Sequence, residues 1–136
     1  MRVEFARGEN FIIETEGNIA VCRVWQRPDL TSAQGAACAE QIQAHAVTLA
    51  LSPHIRGFVF DLRRAPLVAG PRTTGAMEEM ARAFDRAQKT FCILTAEDAM
   101  QALQASRVLR TASPTRGLVT SDERQAMMGA ARASRP

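Results

Sequence analysis

The chain has 136 residues, 46% hydrophobic and 23% charged, a size and balance that fit one globular domain and exclude a disordered chain. Lys+Arg 17 against Asp+Glu 14 gives a net charge of +3, too slight an excess to call for an anionic macromolecule. Three cysteines with no CxxC pair, together with two histidines, exclude a disulfide framework and the short ligand spacings of zinc sites.

The positive charge is nearly all arginine, Lys89 being the one lysine, and alanine is abundant. This composition reads as the coding bias of a GC-rich bacterial genome. The start, Met1-Arg2-Val3-Glu4-Phe5, lacks a basic-then-apolar leader pattern, and no apolar run approaches the roughly 18 residues of a membrane span. A cytoplasmic protein that binds neither membrane nor nucleic acid is the expectation.

In chain order, Arg2 to Ala6 and Asn10 to Thr15 read as strands, and Glu16-Gly17-Asn18 turns the chain into a β-branched run from Ile19 to Trp25. Thr31 or Ser32 then caps a helix to about Leu51, with Gly35, Cys38, Ile42, Ala46 and Leu49 on one face. Ser52-Pro53 stops it. Gly57 to Leu62 is a continuous apolar run, the pattern of a strand covered on both sides. After the loop Arg63 to Arg72, a second helix is expected from Thr73 or Thr74, burying Ala76, Met77, Met80, Phe84 and Ala87.

Lys89 to Leu94 reads as another buried strand. Thr95-Ala96-Glu97-Asp98 opens a third helix whose inner face continues through Met100 and Leu103. Gly117 to Thr120 is a last strand, and Ser121-Asp122-Glu123 caps a final helix carrying Met127 and Ala131. The tail from about residue 133 reads as mobile. Strand–helix alternation after an opening hairpin predicts a single α/β domain, its mixed sheet mostly parallel and carrying about four helices.

Catalytic signals are thin. His45 falls within the first helix and His54 in the loop after it, neither beside a nucleophile, and Cys22, Cys38 and Cys92 fall at core positions. GxGxxG and the P-loop lysine motif are absent, so no cofactor is expected. Trp25 suits either a partner anchor or the edge of the core. The distinctive segment is Gly70-Pro71-Arg72-Thr73-Thr74-Gly75, beyond a strand's carboxyl end and at a helix amino end, where open α/β sheets place ligands. Helix N–H groups and the Arg72 fork favour an anion there; equally, Gly70 and Pro71 shape a turn while Thr73 or Thr74 caps the helix.

The strand pair ending in Pro-Asp-Leu-Thr-Ser-Ala (residues 28 to 33), the long helix, the Val-Phe-Asp-Leu strand (59 to 62) and the following loop and helix resemble the STAS family of bacterial anti-anti-sigma factors and their relatives, over about residues 10 to 130. The family carries Asp-Ser-Ser-Gly at the start of this second helix, with a serine phosphorylated by a partner kinase. Arg72-Thr73-Thr74-Gly75 is the similar segment here, with Thr73 or Thr74 at the hydroxyl position and Arg72 where the family has an acid. Asp29 matches the acid before the first helix, as a cap or a partner contact. The resemblance implies a non-catalytic regulatory module that binds a protein, a kinase or another regulator, and is switched by threonine phosphorylation. Independently of it, an edge left by the opening strands or a helix face is available for pairing as a homodimer. The competing expectation is a small-molecule sensor holding an anionic or apolar ligand under the same loop. A pocket beneath that loop favours the sensor, and a flat or convex face favours the protein partner.

Overall fold

A computed structural model describes residues 1–132; the tail from residue 133 lies outside the described residues. Six strands form one sheet: β1 (Val3–Arg7), β2 (Phe11–Glu16), β3 (Ile19–Trp25), β4 (Gly57–Arg64), β5 (Thr90–Leu94) and β6 (Gly117–Thr120). They lie side by side in chain order. The first three form an antiparallel meander, and β3 to β6 run parallel. The expected mixed α/β sheet, with four helices, is what the chain adopts. Gly17, at φ +59° between β2 and β3, supplies the positive φ that a tight hairpin turn needs at its first central position.

The crossover helices are α1 (Ser32–Ala50), α2 (Pro71–Arg86) and α3 (Ala99–Ala112), and α4 (Glu123–Ala131) closes the chain. Because each parallel strand is added on the same side of its predecessor, the three crossovers cover one face, and α4 covers the other. The side-chain period of two sorts the strands accordingly. Phe58, Phe60, Phe91 and Ile93 point to the three-helix core, whereas Val59, Cys92 and Leu94 join Ala126 and Ala130 of α4.

Thr31 caps α1 through a capping box with Gln34. α2 begins at Pro71, with Gly70 at the N-cap and no side-chain cap. The expected start at Thr73 or Thr74 is therefore corrected: proline suits the first helical position, where its missing N–H costs nothing, and the threonines fall inside the first turn. Asp98 caps α3, so the helix starts at Ala99, later than the threonine-led segment suggests.

Its inward face is also corrected. Met100 and Leu103 are 62% and 43% exposed, and Gln101, Ala105, Val108, Leu109 and Ala112 are buried. The inner face opens on a glutamine, which hides the phase from a purely apolar reading. Gln101 tolerates burial because its amide is used at both ends: Nε2 donates to the Leu62 carbonyl and Oε1 accepts from the Ala96 N–H. In α2 and α4, Ala87 and Ala131 likewise fall outside the buried stripe.

α4 packs close to the sheet. An added Cβ at Gly57 would stand 2.2 Å from the Ala130 carbonyl oxygen. Gly57→Ala should lower stability by about 1–3 kcal/mol, the usual cost of overpacking, seen as a reduced urea midpoint. Gly75→Ala, where an added Cβ meets nothing within 4 Å inside α2, should raise the midpoint, by about 0.5–1 kcal/mol. Similar midpoints for the two variants would remove the close-packing account.

Candidate functional site

Above the carboxyl ends of β3 and β4, the three-helix face opens into a cavity of ≈ 700 Å³. Val24, Trp25, Phe60 and Leu62 of the two strands line it, as do Ala36, Ala39 and Ile42 of α1, Thr73 and Met77 of α2, and Gln101, Gln104 and Ala105 of α3. The loops before α1 and α2 border its mouth. The volume lies within the roughly 300–1,000 Å³ of small-molecule sites. It exists because α1 turns small side chains, Gly35, Ala36 and Ala39, toward a place where larger ones would fill the core.

The loop Ala65–Gly70 is tied down by one side chain. Gln104 accepts from the Ala69 N–H at 3.0 Å and donates to the Ala69 carbonyl at 2.9 Å, a two-point clamp that replaces sheet pairing for that backbone. Leu67 and Val68 on the same loop are exposed, although both also border the cavity. Among the described residues, Asn10 Oδ1 is the one buried side-chain polar atom without a hydrogen-bond partner, and Asn10 belongs to the same lining.

Two charged side chains line the cavity, Arg27 and Arg72. Arg27 pairs with Asp29 and donates to the Glu9 carbonyl. Arg72 reaches from α2 to Glu40 of α1, at 2.7 Å through Nη2 and 3.2 Å through Nε. These bonds hold the Asp29 and Glu40 carboxyls below their usual range and the two guanidinium groups above theirs. A carboxylate whose pKa is lowered in the folded state stabilises the fold above its ordinary pKa, and that contribution is lost as pH falls through the lowered value. The Arg72–Glu40 bridge between α2 and α1 is therefore in place at neutral pH and opens in acid.

The sequence-predicted residues separate in space. Arg72 and Thr73 reach the cavity. Thr74 is half-buried in the first turn of α2, its N–H donating to the Gly70 carbonyl, and neither threonine caps the helix. Asp29 does not cap α1, a role Thr31 takes, and instead holds Arg27. Gly75 sits in α2 with open space around it. Trp25 is half-buried, as a wall of the cavity. Sequence reasoning missed Ala36, Ala39, Arg27, Gln101 and Gln104 as parts of a site; the backbone partners that hold the two glutamines lie outside their own helix, and no local pattern marks them.

Elsewhere the reactive groups have structural roles. Burial pushes the Cys92 thiol up to about 12 and raises Cys22 and Cys38 as well, so all three stay protonated at neutral pH. His45 packs edge-on against Phe5, ring centroids 5.9 Å apart. Lys89 is buried and donates from Nζ to the Ala50 and Ser52 carbonyls at the end of α1; burial lowers its pKa. Among the described residues, no helix is long and apolar enough to cross a membrane and no three metal-ligating side chains converge. No family model, curated protein or solved structure matches the chain.

Gln104→Ala removes both clamps on Ala69. At about 1 kcal/mol for each hydrogen bond, the loss should appear as severalfold faster hydrogen exchange at Ala69 and a modest fall in melting temperature. Unchanged exchange there would show that the loop holds its place without Gln104.

Proposed function

We propose that the chain is a small-molecule binding module whose cavity takes a mostly apolar ligand beneath the Ala65–Gly70 loop. The observation that carries this reading is the ≈ 700 Å³ cavity itself, in the place where the sequence leaves a choice between a ligand pocket and a flat docking face. Its lining is largely aliphatic and aromatic with a few polar groups, the usual make-up of sites that bury a ligand. Ligand entry would disturb the loop that Gln104 clamps and the Arg72–Glu40 bridge between α1 and α2. Occupancy would thereby be relayed to the protein surface, where a partner could sense it.

The STAS-like regulatory reading is the second proposal. It is supported by the position of Thr73, half-buried in the first turn of α2 beside Arg72. A phosphoryl group there would meet the positive helix end and a guanidinium. Thr73→Glu and Thr74→Glu variants that leave partner capture unaltered, in a protein that kinases never modify at either position, would remove that reading.

For the leading proposal, titration with a neutral solvatochromic dye should produce a saturable blue shift and a change in the fluorescence of Trp25, the one tryptophan of the chain. Ala39→Trp, which places a large ring into the cavity wall, should weaken dye binding at least about tenfold, the effect of losing some 1.4 kcal/mol of contact. The absence of saturable dye binding to the wild-type chain, or equal binding by a folded Ala39→Trp variant, would sink the ligand-binding reading.

A further inference from the structure

We infer that the ligand is a single-chain amphiphile with an anionic headgroup, the chain lying in the cavity and the headgroup meeting Arg27 and Arg72. This rests on the ligand-binding reading above and deepens it. The charge of the lining is one-sided: Arg27 and Arg72 belong to it, and no aspartate or glutamate does. Their partners, Asp29 and Glu40, are not lining residues, although each stays bonded to its arginine.

Neither guanidinium is used up. Each carries five N–H donors. Arg72 engages Glu40 through Nε and Nη2, which leaves Nη1 without a partner among the described residues. Arg27 spends Nε and Nη2 on Asp29 and Nη1 on a carbonyl, leaving N–H groups spare on its terminal nitrogens. A planar fork matches a carboxylate or a phosphate monoester in shape as well as charge. The two lining glutamines are committed to backbone partners, and Phe60 and Leu62 of the lining are apolar. A cationic headgroup finds no carboxylate among the lining residues, and a neutral one gains a hydrogen bond without the charge pairing that an anion adds.

The test is competition against the bound neutral dye with four twelve-carbon probes below their micelle concentrations: laurate, dodecyl phosphate, dodecanol and dodecyltrimethylammonium. At least one of the two anions should displace the dye at concentrations about tenfold below those of dodecanol, the scale of a charge-assisted hydrogen bond. The cation should be weakest. Whichever anion leads tells a carboxylate site from a phosphate site. Arg27→Gln and Arg72→Gln should each shrink the anion's advantage and leave dodecanol unaffected, whereas Glu40→Gln, which frees Arg72, should enlarge it.

Dodecanol matching both anions, or arginine variants that weaken dodecanol and anion alike, overturns the headgroup assignment and leaves the cavity a binding site. A dye that binds and that none of the four probes displaces also overturns the headgroup assignment; if the wild-type chain shows no saturable dye binding, the ligand-binding reading fails and the headgroup assignment goes with it.

Discussion

The arrangement depends on one topological constraint: from β3 onward, every strand is laid parallel beside its predecessor in the same direction. A connection between neighbouring parallel strands must cross over a face of the sheet, and the hand of the crossover is fixed by strand twist. Steps in a single direction therefore send α1, α2 and α3 to the same face. Their amino ends, and the loops that lead into them, gather over the carboxyl ends of the strands. Residues as distant in sequence as Trp25, Gly70 and Gln101 come to line one space for that reason. Among the described residues the second face receives α4 alone, held by close approach at Gly57 and by Arg63, which bridges Asp61 on β4 and Glu123 on α4.

Within the three-helix layer, large and small side chains divide the labour. Toward the amino ends of the parallel strands the core is filled by phenylalanine. Phe58 and Phe91 stack with centroids 5.3 Å apart and planes 7° from parallel, and Phe84 of α2 lies against both. Such rings remove large apolar areas from water and lock neighbouring elements together. Toward the carboxyl ends, Ala36, Ala39 and Ala105 take over and leave space. Protein interiors seldom leave voids larger than a water molecule, since unfilled volume forfeits dispersion contacts. A space of this size is tolerated where it opens to the surface and polar side chains such as Gln101 and Gln104 hold its walls.

The same division explains what was legible in the sequence. The strands were readable because β-branched and aromatic runs mark them directly, and α1 because Cys38, Ile42, Ala46 and Leu49 repeat at helical spacing. α3 was misread in phase because its inner face opens on Gln101, a residue whose burial depends on the Leu62 carbonyl and the Ala96 N–H. Both partners are distant or non-helical, and no local pattern reports them. The start of α2 was misread because threonines are frequent caps, whereas here Pro71 takes the first position and Gly70 leaves the cap to the backbone. The cavity was least legible. Alanines that look like compositional bias are its walls, and emptiness is a property of three helices together, with no signature in any one of them.

In the proposed site, the ion pairs of Arg27 and Arg72 would contribute without dominating. Both arginines sit in exposed pairs, which are weak because water screens the attraction and ordering two long side chains opposes it. Exchanging Glu40 for a ligand carboxylate on the same guanidinium thus starts from a shallow well, and the exchange is close to even. Affinity would come from the chain in the cavity, at about 0.8 kcal/mol for each buried methylene. The arginines would then choose among headgroups, since their spare N–H groups can bond an anionic headgroup while Asp29 and Glu40 moderate the charge of each guanidinium. In such a site the apolar walls set how tightly a ligand is held, and the rim sets which ligand it is.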